Sequence, residues 1–425
     1  MREMKDSGIE WVGKIPKHWS VMHNKYIMTK KKTIKEIYGG EDIISLSMNG
    51  VIIRDLDAGG KMPKTFDGYQ IVHPGNLLMC LFDYDVTPRC IGLIKNFGVT
   101  SPAYSQFVMN KNNHSGYYNY YYLMVDHTKA LLHLAKNLRH SFTEEQLGSI
   151  SAPVPPVEEQ IEIEKFLDQK CSEIDAISSN IQKQIAILED YKKSVITEAV
   201  TKGLNPDVEM KDSGIEWIGE IPRNCKINKL KYVAIISPKC EKFQNLKGNY
   251  ELTFTPMESI KNGYFINESK HITELTSSLT RYQEGDIALA KVTPCFENGN
   301  ICIMENLVNK VGMGSSELYI IRSKNIVIKR YLLYWLQNIK FMNEACKTMT
   351  GVGGLKRVSS VFLNNSEILV FDNQIQQDIV NYLDQKCSEI DSLISDKNKQ
   401  LEILADYKKS LIYEYVTGKK EVPES

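Results

Sequence analysis

A chain that carries one long helical segment twice is committed to a duplicated frame before any other feature is weighed. Residues 166–191 read FLDQKCSEIDAISSNIQKQIAILEDY, and residues 382–407 read YLDQKCSEIDSLISDKNKQLEILADY. The run from Leu167 to Asp175 recurs letter for letter from Leu383 to Asp391, 216 positions further on. A second block, Met4 to Trp11 (MKDSGIEW), returns at Met210 to Trp217, 206 positions on. The chain is therefore two tandem copies of one unit, each a variable part followed by a near-constant helix. The second copy is ten residues longer between its two blocks.

Within the repeated segment, apolar residues fall at alternating spacings of four and three. The first copy gives Leu167, Cys171, Ile174, Ser178, Ile181, Ile185, Leu188, Lys192 and Val195; the second gives Leu383, Cys387, Ile390, Ile394, Lys397, Leu401, Leu404, Lys408 and Leu411. A seven-residue repeat held over about four heptads predicts a coiled-coil seam. Leu167, Ile174, Ile181, Leu188, Leu383, Ile390, Leu401 and Leu404 are its expected apolar knobs. The lysines and Ser178 weaken the seam but can fix its register. Further apolar residues beside it, among them Ile177, Ile187, Tyr191, Leu393, Ile403 and Tyr407, widen the stripe and predict more than one neighbour for each helix. Prolines at 153, 155 and 156, then Glu158 and Glu159, mark the first helix start; Gly203 with Pro206 and Gly418 mark the two ends. Each helix is expected to be a rod of roughly 60 to 68 Å at about 1.5 Å per residue. Duplicated and sharing one seam, the two are expected to pair with each other.

At 425 residues the chain has room for two domains of ordinary size. Nothing in it reads as a signal peptide or a bilayer span, and nine cysteines without a Cys-x-x-Cys pair fit a reducing cytoplasm. The formal net charge is zero, but it is not evenly spread. Residues 1–150 hold 18 Lys+Arg against 14 Asp+Glu, and residues 218–365 hold 20 against 12. The helical stretches invert this, with 5 against 10 over 157–201 and 5 against 8 over 373–416. Basic globular parts on acidic rods suit two polyanion-facing domains whose rods meet something else.

The first globular part shows short strands near 42–46, 72–79, 91–94 and 105–108, and an aromatic-rich helix expected from Tyr117 to Leu138. The second follows the same plan: a strand from Glu284 to Leu289, another from Leu318 to Ile321, and a helix expected from Lys329 to Met342. In each copy a loop mixing aromatic, basic and small polar groups follows a buried strand, Phe82 to Arg89 in one and Lys291 to Gly299 in the other. A turn after the helix then carries cations, Lys136 to Ser141 and Thr350 to Arg357.

Catalytic constellations are absent from this reading. Asp207 and Glu209-x-Lys211 have the letters of a nuclease motif, but they sit together in a linker where the carboxylates cannot come from adjacent strands. Gly351-Val352-Gly353-Gly354 lacks the lysine of a phosphate-binding loop, and the eight histidines show no ligand spacing.

These residues carry a resemblance. Met-Lys-Asp-Ser-Gly-Ile-Glu-Trp followed by Gly-x-Ile-Pro, then Pro155-Pro156-x-Glu158-Glu159-Gln160, the Phe-Leu-Asp helix start and the Tyr-Lys-Lys-Ser-x-Ile helix end resemble a type I restriction-modification specificity subunit over essentially the whole chain. Glu284-Gly285-Asp286-Ile287 with Lys291-x-Thr293-Pro294-Cys295-Phe296-Glu297-Asn298-Gly299 is similar to one branch of that family's target recognition domains. The second helix departs from the pattern, opening Phe371-Asp372-Asn373-Gln374-Ile375-Gln376. The resemblance implies an α/β pseudo-twofold repeat: recognition domains over 1–152 and 204–369, helices over 153–203 and 370–425, the latter an antiparallel pair conserved in the family. It implies that each domain reads one half of a split site in double-stranded DNA, while the helices hold the halves apart. It further implies docking of two methyltransferase subunits that bind S-adenosylmethionine, and of ATP- and Mg-dependent restriction–translocase subunits, with no cofactor on this chain.

On that reading the base- and phosphate-contacting candidates are Arg89, Arg139, Lys291, Lys356 and Arg357, with Thr293 and Asn298 facing adenine or thymine edges. Tyr84 and Phe296 are candidates to stack or wedge. Two rivals stand beside it: a coiled-coil scaffold without a DNA target, which the basic lobes disfavour, and a self-sufficient modification enzyme, for which the motifs are missing.

Overall fold

The computed structural model describes residues 2–57, 63–135, 140–246, 248–352 and 354–423. It divides into two compact units, 1–181 with 398–425, and 182–397. Each unit thus contains one globular lobe and one half of each long helix.

In the first unit, the duplicated MKDSGIEW block opens a hairpin, Met4–Asp6 pairing antiparallel with Lys14–Pro16. Ser20–His23 then pairs with Ser151–Val154, which leads into the first long helix. The central sheet is antiparallel, in the order Met28–Lys31, Ser105–Met109, Leu77–Met79, Ile91–Leu93. A smaller pair, Gln70–Val72 with Gly98–Thr100, and the hairpin Ile44–Ser47 with Gly50–Ile53 lie beyond it. Against the sheet packs the helix Ser115–His127, which buries Tyr117, Tyr118, Tyr120, Tyr121 and Tyr122. A phenol is buried cheaply only where its hydroxyl finds an acceptor. Tyr117 donates to the Val416 carbonyl at 2.8 Å, Tyr118 to Asn113 at 3.1 Å, Tyr120 to Asp168 at 2.7 Å, and Tyr122 to Asn24.

This helix stops eleven residues short of the Leu138 that its aromatic pattern suggests. Buried Asp126 holds the Cys90 amide and the Lys129 ammonium, and Lys129 takes a left-handed conformation (φ 47°) to reach it. That conformation ends the helix. Residues 136–139 lie outside the described residues.

The second unit repeats the plan with its own residues. Met210–Asp212 pairs with Glu220–Pro222, Lys226–Lys229 with Glu367–Val370, and the sheet runs Ala234–Ile236, Leu318–Ser323, Ile287–Ala290, Ile301–Ile303. A second four-stranded sheet, Glu268–His271, Glu251–Thr255, Val311–Gly314, Thr280–Gln283, includes one parallel pair, Glu251–Thr255 with Val311–Gly314. In the first unit the parallel pair is reduced to a single bridge between Ile43 and Val99, which joins the pair Gln70–Val72 with Gly98–Thr100 to the hairpin Ile44–Ile53. The helix expected over 329–342 is two helices, Lys329–Gln337 and Ile339–Lys347. Asn338 between them is extended, and its side chain accepts the Phe341 amide at 2.8 Å, so it caps the second helix instead of continuing the first.

The long helices, Val157–Lys202 and Asn373–Val416, have 46 and 44 residues. Gly203 (φ 74°) and Gly418 (φ 68°) end them in the left-handed conformation that glycine adopts without a Cβ penalty. Within each unit the two half-helices run antiparallel. In the first, Phe166 meets Tyr415 with ring centroids 4.4 Å apart, and Lys408 meets Asp175 at 2.6 Å. In the second, Lys192 meets Asp391 at 2.7 Å, and Lys397 donates to Gln184. The three seam lysines are therefore register pins. Between exposed partners each pin contributes about 0.5 kcal/mol, so the apolar seam carries the stability. Leu167, Cys171, Ile174, Ile181, Val195, Leu383, Cys387, Ile390 and Leu411 are buried; Leu188, Leu401 and Leu404 are half-buried.

Three clamps fix lobe to helix, and each occurs twice. Gln160 accepts the His114 amide and donates to the Pro155 and Asn112 carbonyls; Gln376 accepts the Ile328 amide and donates to Phe371 and Ile326. Tyr120 binds Asp168 as Tyr334 binds Asp384. Tyr117 reaches the Val416 carbonyl as Tyr331 reaches that of Val200. The second helix start, which departs from the first in sequence, keeps the glutamine that is buried. What it loses is the surface cluster at Glu159, which accepts from Trp19 at 3.1 Å and contacts Arg2 and His18. The corresponding residues are Ile375 and Cys225.

Candidate nucleic-acid interface

The second unit joins the two segments singled out by sequence. Strand Ile287–Ala290 is wholly buried, and the chain leaving it at Lys291 forms an antiparallel bridge from Val292 to Arg357. The hairpin Thr350–Val352 with Leu355–Arg357 stands on that bridge. Thr293 roots it: the hydroxyl donates to the Gly354 carbonyl at 2.8 Å and accepts the Lys356 amide at 3.0 Å, while the Thr293 amide donates to the Lys356 carbonyl. Thr293 is buried, and its hydroxyl is spent on the hairpin. The expectation that it faces a base edge is corrected accordingly.

Around this root the cations differ in freedom. The Arg357 guanidinium grips Glu317 with two hydrogen bonds, at 2.9 and 3.0 Å. The bond to Arg357 holds the Glu317 carboxyl below its usual range, and the bond to Glu317 raises Arg357. Lys291 lies with its ammonium 5.3 Å from the centroid of the Tyr319 ring, whose hydroxyl donates to Val358. Lys356 is exposed, as is Asn298 at the turn of the neighbouring loop. Phe296 is fully buried in the core of the unit, because the loop turns back after Pro294 to place its ring under the sheet. It cannot stack on a base.

In the first unit the equivalent loop is likewise joined to the segment after the helix, since Tyr84 donates its amide to His140 and Phe142 donates to Leu81. Here too the aromatic candidate turns inward. Tyr84 is 5% exposed, packs edge-on against Phe142 with centroids 5.0 Å apart, and lies under the Lys129 ammonium. Burial pushes its phenol well above the usual range. The wedge role is corrected for both rings. Arg89 is half-buried, donating through Nε to the Ile91 carbonyl at 2.9 Å and through Nη1 to Met48 at 3.4 Å. Burial lowers its pKa. It braces the hairpin Ile44–Ile53 from the root of the turn at Met48. Arg139 lies outside the described residues.

Sequence reasoning overlooked the tips of two hairpins. Met48 is 74% exposed at the turn that Arg89 braces, and Val352 is 90% exposed at the turn rooted by Thr293. The glycine pair at 353–354 was the available signal for the second. Among the described residues no group of three or more His, Cys, Asp or Glu could hold a metal ion, and no helix is long and apolar enough to cross a membrane.

Fold and site together define a duplicated α/β protein in which each unit clamps one lobe to its own antiparallel pair of half-helices. A chain of that fold occurs in a solved structure concerning complex assembly and conformational transition of the type I R-M system: the two share 13% identity over 96% of this chain and 99% of that one, with a TM-score of 0.68. By sequence the chain is similar to type I specificity subunits. It is 30% identical over 223 residues to the Escherichia coli type I restriction enzyme EcoAI specificity subunit, and 32% identical over 212 residues to that of EcoEI. These matches cover 52% and 48% of this chain but only 36% and 34% of the relatives, about a third of their length. A putative type I restriction enzyme MjaX specificity subunit from Methanocaldococcus jannaschii is 27% identical over 329 residues, 74% of this chain and 70% of that one. No protein-family model matches the chain.

Proposed function

We propose that the chain is the DNA sequence-specificity component of a type I restriction-modification complex, each unit reading one half of a bipartite site in double-stranded DNA. The observation that carries this is the duplication at the level of contacts. Gln160 and Gln376, Asp168 and Asp384, and Tyr117 and Tyr331 make the same bonds twice, while the outer loops and hairpins differ. A constant frame with divergent faces serves two different half-sites. The long helices set the spacing and dock two methyltransferase subunits. On the helices, Ile177, Ile403 and Tyr407 in the first unit, and Leu393, Ile187 and Tyr191 in the second, are each about half exposed or more. Apolar triads on acidic helices suit a protein partner and repel phosphate. Methyl transfer with S-adenosylmethionine, and ATP- and Mg-dependent restriction, belong to partner subunits; this chain contributes no catalytic group.

The test is methylation mapping with the methyltransferase subunits of its system. The expected product is a split motif, of which one half changes when residues 15–150 are exchanged for those of a relative. A change in both halves refutes independent reading. The chain incubated alone with DNA, Mg, ATP and S-adenosylmethionine is expected to give neither cleavage nor methylation, and either product refutes the non-catalytic assignment. Ile187→Lys with Tyr191→Lys is expected to abolish co-purification of a methyltransferase subunit.

A further inference from the structure

Val352 is the barest large apolar side chain among the described residues, and Leu355 opposite it is 54% exposed. The register pairs Val352 with Leu355, Gly351 with Lys356, and Thr350 with Arg357. Directly opposed residues of an antiparallel ribbon share a face, and alternate pairs return to it. Val352 and Leu355 therefore sit at the tip on one face, with Thr350 and Arg357 behind them. Lys356 is alone on the other face, since Gly351 has no side chain. Gly351 admits none: a Cβ there would stand 2.1 Å from the Leu355 carbonyl oxygen. The result is a thin ribbon with an apolar tip, rooted rigidly by Thr293.

We propose that this ribbon enters the major groove of the half-site read by the second unit, where Val352 and Leu355 contact thymine methyl groups. The inference rests on the DNA-reading assignment above and names a specificity element within it. The major groove admits a two-stranded ribbon, and the thymine C5-methyl is the apolar group displayed on its base edges. Charge favours the same occupant. The ribbon and the adjoining loop carry Lys291, Lys356 and Arg357 against Glu297, and Arg357 is paired with Glu317 of the neighbouring turn. A ribbon with Lys356 on its other face and Lys291 near its root fits a polyanion, while the apolar triads on the helices supply the surface for a protein partner.

The experiment uses the full chain with its methyltransferase subunits and a duplex library with a randomised core, from which the preferred site is selected. Val352→Ser with Leu355→Ser removes only exposed groups, so the unfolding midpoint is expected to stay where it is. Binding to the selected site is expected to weaken on the order of tenfold, with an unchanged dependence on salt. Replacing the thymines of that half-site with uracil removes their methyl groups. It is expected to weaken the wild type and leave the tip variant unaffected. Lys356→Ala, as control, is expected to flatten the salt dependence while responding to uracil as the wild type does. Equal responses of wild type and tip variant to uracil overturn the inference, as does a selected half-site without thymine. Unchanged DNA binding by the variant also overturns it, and if that variant loses the methyltransferase subunits instead, the tip is a protein contact. A wild-type complex that selects no sequence defeats the DNA-reading assignment itself, and the ribbon with it.

Discussion

Replacing Gln160 with alanine tests whether the buried glutamines hold lobe to helix. Gln160 is fully buried, accepting the His114 amide at 2.7 Å and donating to Pro155 at 2.8 Å and Asn112 at 3.3 Å. Alanine leaves one N–H and two carbonyls unpaired, each costing about 1–3 kcal/mol where water cannot enter. Water reaching part of the vacated space and about 1–2 kcal/mol of recovered side-chain entropy offset some of this. The expected net loss is about 3 kcal/mol. For a domain of about 200 residues that lowers the melting midpoint by roughly 6 to 12 °C. Gln160→Met keeps the volume and removes the bonds, so it is expected to lose nearly as much, which separates hydrogen bonding from cavity formation. Gln376, with bonds of 2.9, 2.7 and 3.3 Å, is expected to match it. Hydrogen exchange read by mass spectrometry locates the damage. Gln160→Ala should unprotect the start of the helix Ser115–His127, and Gln376→Ala the start of Lys329–Gln337. Unchanged protection at those sites, or a loss below about 1 kcal/mol, refutes the clamp.

Glu317→Gln frees Arg357, and DNA-binding titrations at several salt concentrations should show tighter non-specific binding with a slope steeper by about one. Glu159 combines burial, which raises its pKa, with hydrogen bonds from His18 and Trp19 and the charge of Arg2, which together bring it below 4.5. A depressed carboxylate stabilises the fold above its unfolded pKa, and the benefit vanishes as pH falls through the folded value. Acid unfolding of Glu159→Gln followed by circular dichroism should therefore show a shallower fall in that window. Lys408→Asp places two acids together at Asp175 and should cost about 1 kcal/mol in thermal unfolding, and adding Asp175→Lys should restore it.

The frame was legible because it is written twice and because its periodicities are the physics of the elements themselves. The seam series from Leu167 to Val195 and from Leu383 to Leu411 foretold that the helices pair, the resemblance supplied their antiparallel sense, and the lysines that interrupt the seam turned out to be the pins. Helix ends inside the lobes were less legible. They were decided by single polar residues, Asp126 drawing Lys129 into a left-handed turn and Asn338 capping its successor, and neither event leaves a mark in hydrophobic spacing.

The joining of each candidate loop to the segment after its helix was legible, and the side chains within it were misread, for one physical reason. Each candidate loop leaves a buried strand, Leu77–Met79 or Ile287–Ala290, so an aromatic side chain a few residues on is within reach of the core. Tyr84 and Phe296 go where burial stabilises a ring by about 2 kcal/mol or more. Thr293 and Arg89 look free in sequence because they are polar in loops, yet a hairpin standing away from a domain needs polar groups at its root. Their hydrogen bonds to Gly354, Lys356, Ile91 and Met48 supply that root. What remains for a ligand is whatever the root holds outward: Lys356 and Asn298, and the apolar tip of Val352 and Leu355. Two apolar side chains set among glycines, Val352 and Leu355, carry no periodic signal. Their exposure follows only once the strands on either side are known to pair.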